Sequence, residues 1–147
     1  RAAIDASMEV ADMTGKERPL IIGVTVLTSL DQDDLSMVGI GSPLHDQVKR
    51  LADLAQSAGL DGVVCSPYEI KLLRDHCGED FTLVVPGIRP EGSEKGDQKR
   101  VMTPKEALEE GANYMVIGRP ITGEDDPRAA AEAILGSLGS RPKLAFG

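Results

Sequence analysis

Four short apolar runs recur along the chain, each ended by glycine, proline or a hydroxyl residue and followed by a segment whose apolar positions repeat every three to four residues. The first, Leu20-Ile21-Ile22-Gly23-Val24-Thr25-Val26-Leu27, is nearly continuous and predicts a strand over 19–28 buried on both faces of a parallel sheet. Gly62-Val63-Val64-Cys65 predicts a second strand over 61–66, a third is expected over 81–86, and Tyr114-Met115-Val116-Ile117 predicts the fourth.

Between them lie amphipathic segments. Ile4, Met8 and Ala11 share one face of a helix over 1–15 that Gly15 stops. A chain that opens inside such a helix, without a cap or an initiating methionine, reads as cut rather than begun. A short helical turn is expected around 33–38. Leu44, Val48, Leu51, Ala55 and Ala58 form one stripe of a helix opened by Ser42-Pro43 and closed by Gly59. Ser66-Pro67-Tyr68-Glu69 and Thr103-Pro104-Lys105-Glu106 are capping boxes with proline at the first helical position, predicting helices over 67–77 and from 104 to Gly111, the latter facing Ala107 and Leu108 inward. Asp126-Pro127 opens the last helix, with Ala130, Ala133, Ile134 and Leu138 toward the core, and residues 140–147 form a loose tail.

Strict strand–helix alternation specifies an α/β fold, parallel strands with helices outside them, in one domain of 147 residues. Two architectures fit: an open doubly wound sheet, or part of a (β/α)₈ barrel. Both bind ligands at the carboxyl ends of the strands, here Thr28-Ser29, Ser66, residues 86–100 and Gly118-Arg119.

Composition narrows the chemistry. A net charge of -8 opposes nonspecific attraction to nucleic acid or anionic lipid, and 3% aromatics without tryptophan removes a base-stacking platform. No apolar run approaches the roughly eighteen residues that span a bilayer, and no leader is visible, so a soluble, cytoplasmic protein is expected. Cys65 and Cys77 have neither zinc nor CxxC spacing and read as free thiols in a reducing compartment. His45 and His76 are solitary helix-surface residues. Asp31, Asp33 and Asp34 lack the spacing and glycine of a calcium loop and read as a solvated helix start.

Against that negative background one stretch stands out. After Leu83-Val84-Val85 the chain turns into Pro86-Gly87-Ile88-Arg89-Pro90 and a polar loop carrying Arg89, Lys95, Lys99 and Arg100 among Gly87, Gly92 and Gly96. Guanidinium and ammonium donors beside glycines that let backbone N–H groups approach suit an anion such as phosphate. Gly118-Arg119 repeats the pairing at the next strand end. In a barrel, the loops after strands seven and eight form the habitual phosphate site. The plainer alternatives are a solvated surface loop, a salt bridge for Arg119 and solvent exposure for Gln98.

Val24-Thr25-Val26-Leu27-Thr28-Ser29, Leu60-Asp61-Gly62-Val63-Val64-Cys65-Ser66, Pro86-Gly87-Ile88-Arg89-Pro90 with Gly96-Asp97-Gln98 and Arg100, and Tyr114-Met115-Val116-Ile117-Gly118-Arg119-Pro120 together resemble bacterial orotidine 5′-phosphate decarboxylases. The resemblance runs in order from Arg1 to Leu138. It implies a (β/α)₈ barrel of which this chain covers about the last four strand–helix units. It further implies a homodimer with active sites near the subunit interface, and conversion of orotidine 5′-monophosphate to UMP and CO₂ without metal or cofactor. By the same resemblance, Thr28 is the hydroxyl near the pyrimidine and Pro86 lines the base pocket. Arg89 and Gln98 belong to the loop that closes over substrate, and Gly118 and Arg119 grip the phosphate.

One departure is large: the family's Asp-x-Lys-x-x-Asp run is absent from these residues, so no catalytic residue is expected in this chain. The resemblance then implies a carboxyl-terminal portion that binds substrate but is inactive alone, and whose open strand edges and uncovered inner face favour association. The rivals are a magnesium-dependent pentulose- or hexulose-phosphate synthase or decarboxylase with the same phosphate grip, and a non-catalytic phosphate-binding half-barrel or flavodoxin-like module.

Overall fold

The computed structural model describes residues 1–91 and 100–139. Strands β1 (Ile22–Val24), β2 (Gly62–Val64), β3 (Thr82–Val85) and β4 (Tyr114–Met115) form one sheet in the order β1-β2-β3-β4, every pair parallel. The helices are α1 (Ala2–Thr14), α2 (Gln32–Met37), α3 (Leu44–Ser57), α4 (Ile70–Cys77), α5 (Pro104–Glu109), α6 (Arg119–Thr122) and α7 (Pro127–Ser137). A doubly wound sheet reverses its strand order at a switch point. Here every strand lies beside its sequence neighbour, which is the progression of a barrel wall.

Register sorts the side chains. Gly23, Val63 and Leu83 stand abreast on the helix-covered face, where Val63, Leu83 and Val85 are fully buried with Val48 and Ala52 of α3 and Ile70 and Leu73 of α4. Gly62 is structural, because a Cβ there would collide with the Thr82 carbonyl. The other face carries the row Val24, Val64, Val84 and Tyr114, of which Val24 is 60% and Tyr114 48% exposed. The expected burial of the first strand on both faces is therefore corrected. Helices cover one face only, and β1 and β4 each pair on one side among the described residues. The regular strand is also shorter than 19–28, and Leu20 and Leu27 at its flanks are exposed.

Caps set where each unit turns. Thr103 Oγ1 accepts the Glu106 N–H at 3.3 Å while Glu106 Oε2 accepts the Thr103 N–H at 3.0 Å, and Asp126 Oδ1 accepts the Ala129 N–H at 3.0 Å. Asp31 caps α2 through the Asp33 and Asp34 amides, so the acidic cluster is a helix start. Ser42-Pro43 opens α3, as expected, without a side-chain cap of its own. Pro43 stays extended at ψ 142, and the Leu44 N–H donates instead to Gln32 Oε1 of α2 at 2.7 Å. Met8 of α1 and Ala133 of α7 are exposed rather than inward, since α1 buries only Ile4 and α7 only Ile134. No helix among the described residues is long and apolar enough to cross a membrane.

The amino-terminal end of the sheet is held by two polar knots, one half-buried and one buried. Arg18 makes a bidentate ion pair with Asp61, whose Oδ2 also accepts the Ile21 N–H at 2.6 Å, joining the entry of β1 to that of β2. Arg74, 9% exposed, donates to the carbonyls of Gly78, Glu79, Phe81 and Gly111 and to Asn113 Oδ1, all between 2.7 and 3.0 Å. Asn113 Oδ1 in turn accepts the Leu83 N–H at 2.8 Å, tying β3 to the approach of β4.

Candidate functional site at the carboxyl ends of the strands

All the described candidates stand at the opposite end, where the strands finish. Thr28 follows β1 and is 7% exposed. Pro86, half-buried, follows β3, and Gly87 turns the chain at φ 78, a conformation only glycine adopts without strain. Arg89 is buried at 7% exposure, and its Nη1 donates to the Ile88 carbonyl at 2.8 Å. Its backbone N–H donates to the Met102 carbonyl at 2.9 Å, and Ile88 and Met102 form a parallel bridge, so the loop after β3 leaves and returns at one point. Gln98 lies outside the described residues, as do Gly92, Lys95, Gly96 and Lys99.

Gly118 and Arg119 follow β4, which pairs with β3 out to the Val116 N–H on the Val85 carbonyl at 2.9 Å. The two glycine–arginine segments thus leave adjacent parallel strands at the same end. Arg119 is exposed, unlike Arg89, and opens the short helix α6, an element the strand-end reading did not include. Gly118 has φ -100 rather than a left-handed angle, and a Cβ built on it meets no heavy atom within 4 Å. Thr28 follows β1, which is separated from β3 by β2.

Two charged residues that the sequence reading left in lesser roles are central here. Glu69, read only as a cap, is fully buried. One of its oxygens accepts the Ser66 N–H at 2.6 Å and the other is paired with Arg100 Nη1. Arg100, read as one more loop cation, is 8% exposed and donates its Nη2 to the Leu27 carbonyl at 2.9 Å. Burial lowers the Arg100 guanidinium from its ordinary value, opposed by the nearby Cys65 and Asp31. The signal for Glu69 was its place directly before the apolar Ile70 and Leu73, where a surface cap would not sit against a core stripe. Cys65, on the strand end between them, is fully buried, and that burial pushes its thiol up to about 12.

The sequence model of the orotidine 5′-phosphate decarboxylase / HUMPS family matches residues 1–134. The chain belongs to this family. It is 56% identical over 135 residues to the orotidine 5′-phosphate decarboxylase of Glaesserella parasuis, covering 92% of this chain and 59% of that protein. With the enzyme of the same name from Vibrio cholerae O395 it shares 57% over 133 residues, 90% of this chain and 58% of that one. Among solved structures, the orotidine 5′-phosphate decarboxylase of Lactobacillus acidophilus superposes with a TM-score of 0.71 at 42% identity, over 86% of this chain and 52% of that one. That of Pyrococcus horikoshii superposes at 0.62 and 26% identity, over 89% and 56%. The chain spans somewhat over half the length of these relatives, and its four units are a contiguous part of a (β/α)₈ barrel.

Proposed function

We propose that this chain supplies the phosphate- and base-binding portion of an orotidine 5′-monophosphate decarboxylase, which forms UMP and CO₂ in pyrimidine synthesis. The observation that carries the reading is the pair of glycine–arginine segments, Gly87 to Arg89 and Gly118-Arg119, at the same ends of the adjacent parallel strands β3 and β4. Glycine N–H groups beside guanidinium donors suit a ligand oxyanion.

In this reading the Gly118 amide and the Arg119 guanidinium hold the phosphate, Arg89 flanks it, and Pro86 and Thr28 face the pyrimidine. Gln98, which the family resemblance adds to the site, lies outside the described residues. Each charge-assisted hydrogen bond contributes roughly 1.5–3 kcal/mol. Decarboxylation breaks the bond from C6 to the carboxylate carbon, leaves the electron pair on C6 and takes a proton there. The family's Asp-x-Lys-x-x-Asp run does not occur in the sequence, and in this reading the portion acts through remote binding energy that lowers the barrier at C6. The working enzyme is a cytoplasmic homodimer in this reading.

Calorimetric titration of the protein with UMP, ribose 5-phosphate and inorganic phosphate tests the assignment. UMP binding tighter than ribose 5-phosphate supports a nucleotide site, and equal binding of the two supports the sugar-phosphate branch of the family instead. Binding of none of the three refutes the phosphate site.

A further inference from the structure

Three strand ends converge on one residue, two through the Arg100 guanidinium and one through the backbone beside it. Arg100 Nη2 takes the Leu27 carbonyl, one residue before Thr28 at the end of β1. Arg100 Nη1 is paired with Glu69, whose second oxygen takes the Ser66 N–H at the end of β2. Two residues after Arg100, Met102 bridges to Ile88 and accepts the Arg89 N–H at the end of β3. A continuous path of covalent and hydrogen bonds therefore runs from Thr28 through Leu27, Arg100 and Met102 to Arg89. It joins the base-side hydroxyl to the guanidinium beside the phosphate.

We infer that the buried Glu69–Arg100 pair is a positioning device for the nucleotide site, fixing where Thr28 stands relative to Arg89. The inference rests on the nucleotide-site reading above. Stability alone does not account for the pair, because apolar residues of similar volume commonly replace a buried ion pair at no loss, and desolvating two charges is costly. Its place also separates it from the structural knots. Arg74 and the Arg18–Asp61 pair brace the amino-terminal end of the sheet, whereas Glu69 and Arg100 occupy the end where ligands bind in this architecture. Fixed geometry at a site is what such a cost returns, since a ligand held at two points is sensitive to their spacing.

The test is the double variant Glu69→Met/Arg100→Met of the full chain, with melting curves and titrations of UMP and inorganic phosphate beside the native protein. Expected are a cooperative melt close to native, phosphate affinity within about threefold, and UMP affinity reduced about tenfold or more. Arg100→Lys, which keeps the charge and folds if the double variant does not, is expected to lie between the two in UMP affinity. A double variant or Arg100→Lys that binds UMP as the native chain does overturns the positioning role while leaving the nucleotide site standing. Equal loss of UMP and phosphate affinity together with a lowered melt assigns the pair a structural role and also overturns it. A native chain that binds neither ligand overturns the site reading and this inference with it.

Discussion

The Arg89 N–H donates to the Met102 carbonyl at 2.9 Å, so both feet of the loop after β3 are pinned together beside the strand end that bears Gly118. Anchoring of this kind makes the rim, rather than the loop's own packing, the reference for any bound anion.

Gly118→Ala and Gly118→Val are expected to change stability far less than UMP affinity, because no heavy atom lies within 4 Å of the added Cβ. UMP affinity should fall about tenfold with alanine and further with valine. Urea denaturation and calorimetry on the same preparations check both halves of the statement.

Arg119→Ala should weaken UMP and inorganic phosphate alike by about tenfold to a hundredfold, the loss of one charge-assisted contact. Its exposed position predicts little change in melting temperature. Raising the salt concentration should weaken the native affinity and leave the variant's less affected.

Arg74→Met should destabilise the chain by about 3–5 kcal/mol, since four carbonyls and Asn113 Oδ1 lose their shared donor inside the fold. The reduced midpoint in denaturant is the readout. An unchanged midpoint would mean that water replaces the guanidinium without cost.

Acid should loosen the entry of β1. The Arg18 hydrogen bond foremost, with the Ile21 N–H and the Arg18 charge adding and desolvation opposing, holds the Asp61 carboxyl below its ordinary value. A lowered folded value means that its stabilisation is fully present above the unfolded carboxylate range and is lost as pH falls through the folded value. Asp61→Asn should flatten that acid limb of the stability curve and lower stability at neutral pH. An acid limb identical to native would exclude Asp61 as a contributor.

Much of the architecture was legible because local chemistry announced it. Thr103, Asp126 and Ser66 before proline mark helix starts whatever surrounds them, and four apolar runs alternating with helices leave only parallel topologies. Strand extent was not legible. The apolar flanks Leu20 and Leu27 look like strand to any pattern, yet regular pairing is limited to Ile22–Val24. The apolar character of Val24 and Tyr114 likewise marks a face that no described helix covers. At the site, glycine–arginine pairs beside strand ends gave the rim residues directly. The Glu69–Arg100 pairing stayed hidden because Arg100 reaches Glu69 and the Leu27 carbonyl across 31 and 73 residues of sequence, which no spacing rule encodes.

The most direct measurement is a UMP titration followed by backbone amide NMR. A shared site at the strand ends predicts that the amides of Gly87, Arg89, Gly118 and Arg119 shift together along one saturating curve, while Gly111 and Asn113 at the far end of the sheet stay in place. Shifts confined to the far end, or none at Gly118 and Arg119 at saturating UMP, would contradict it.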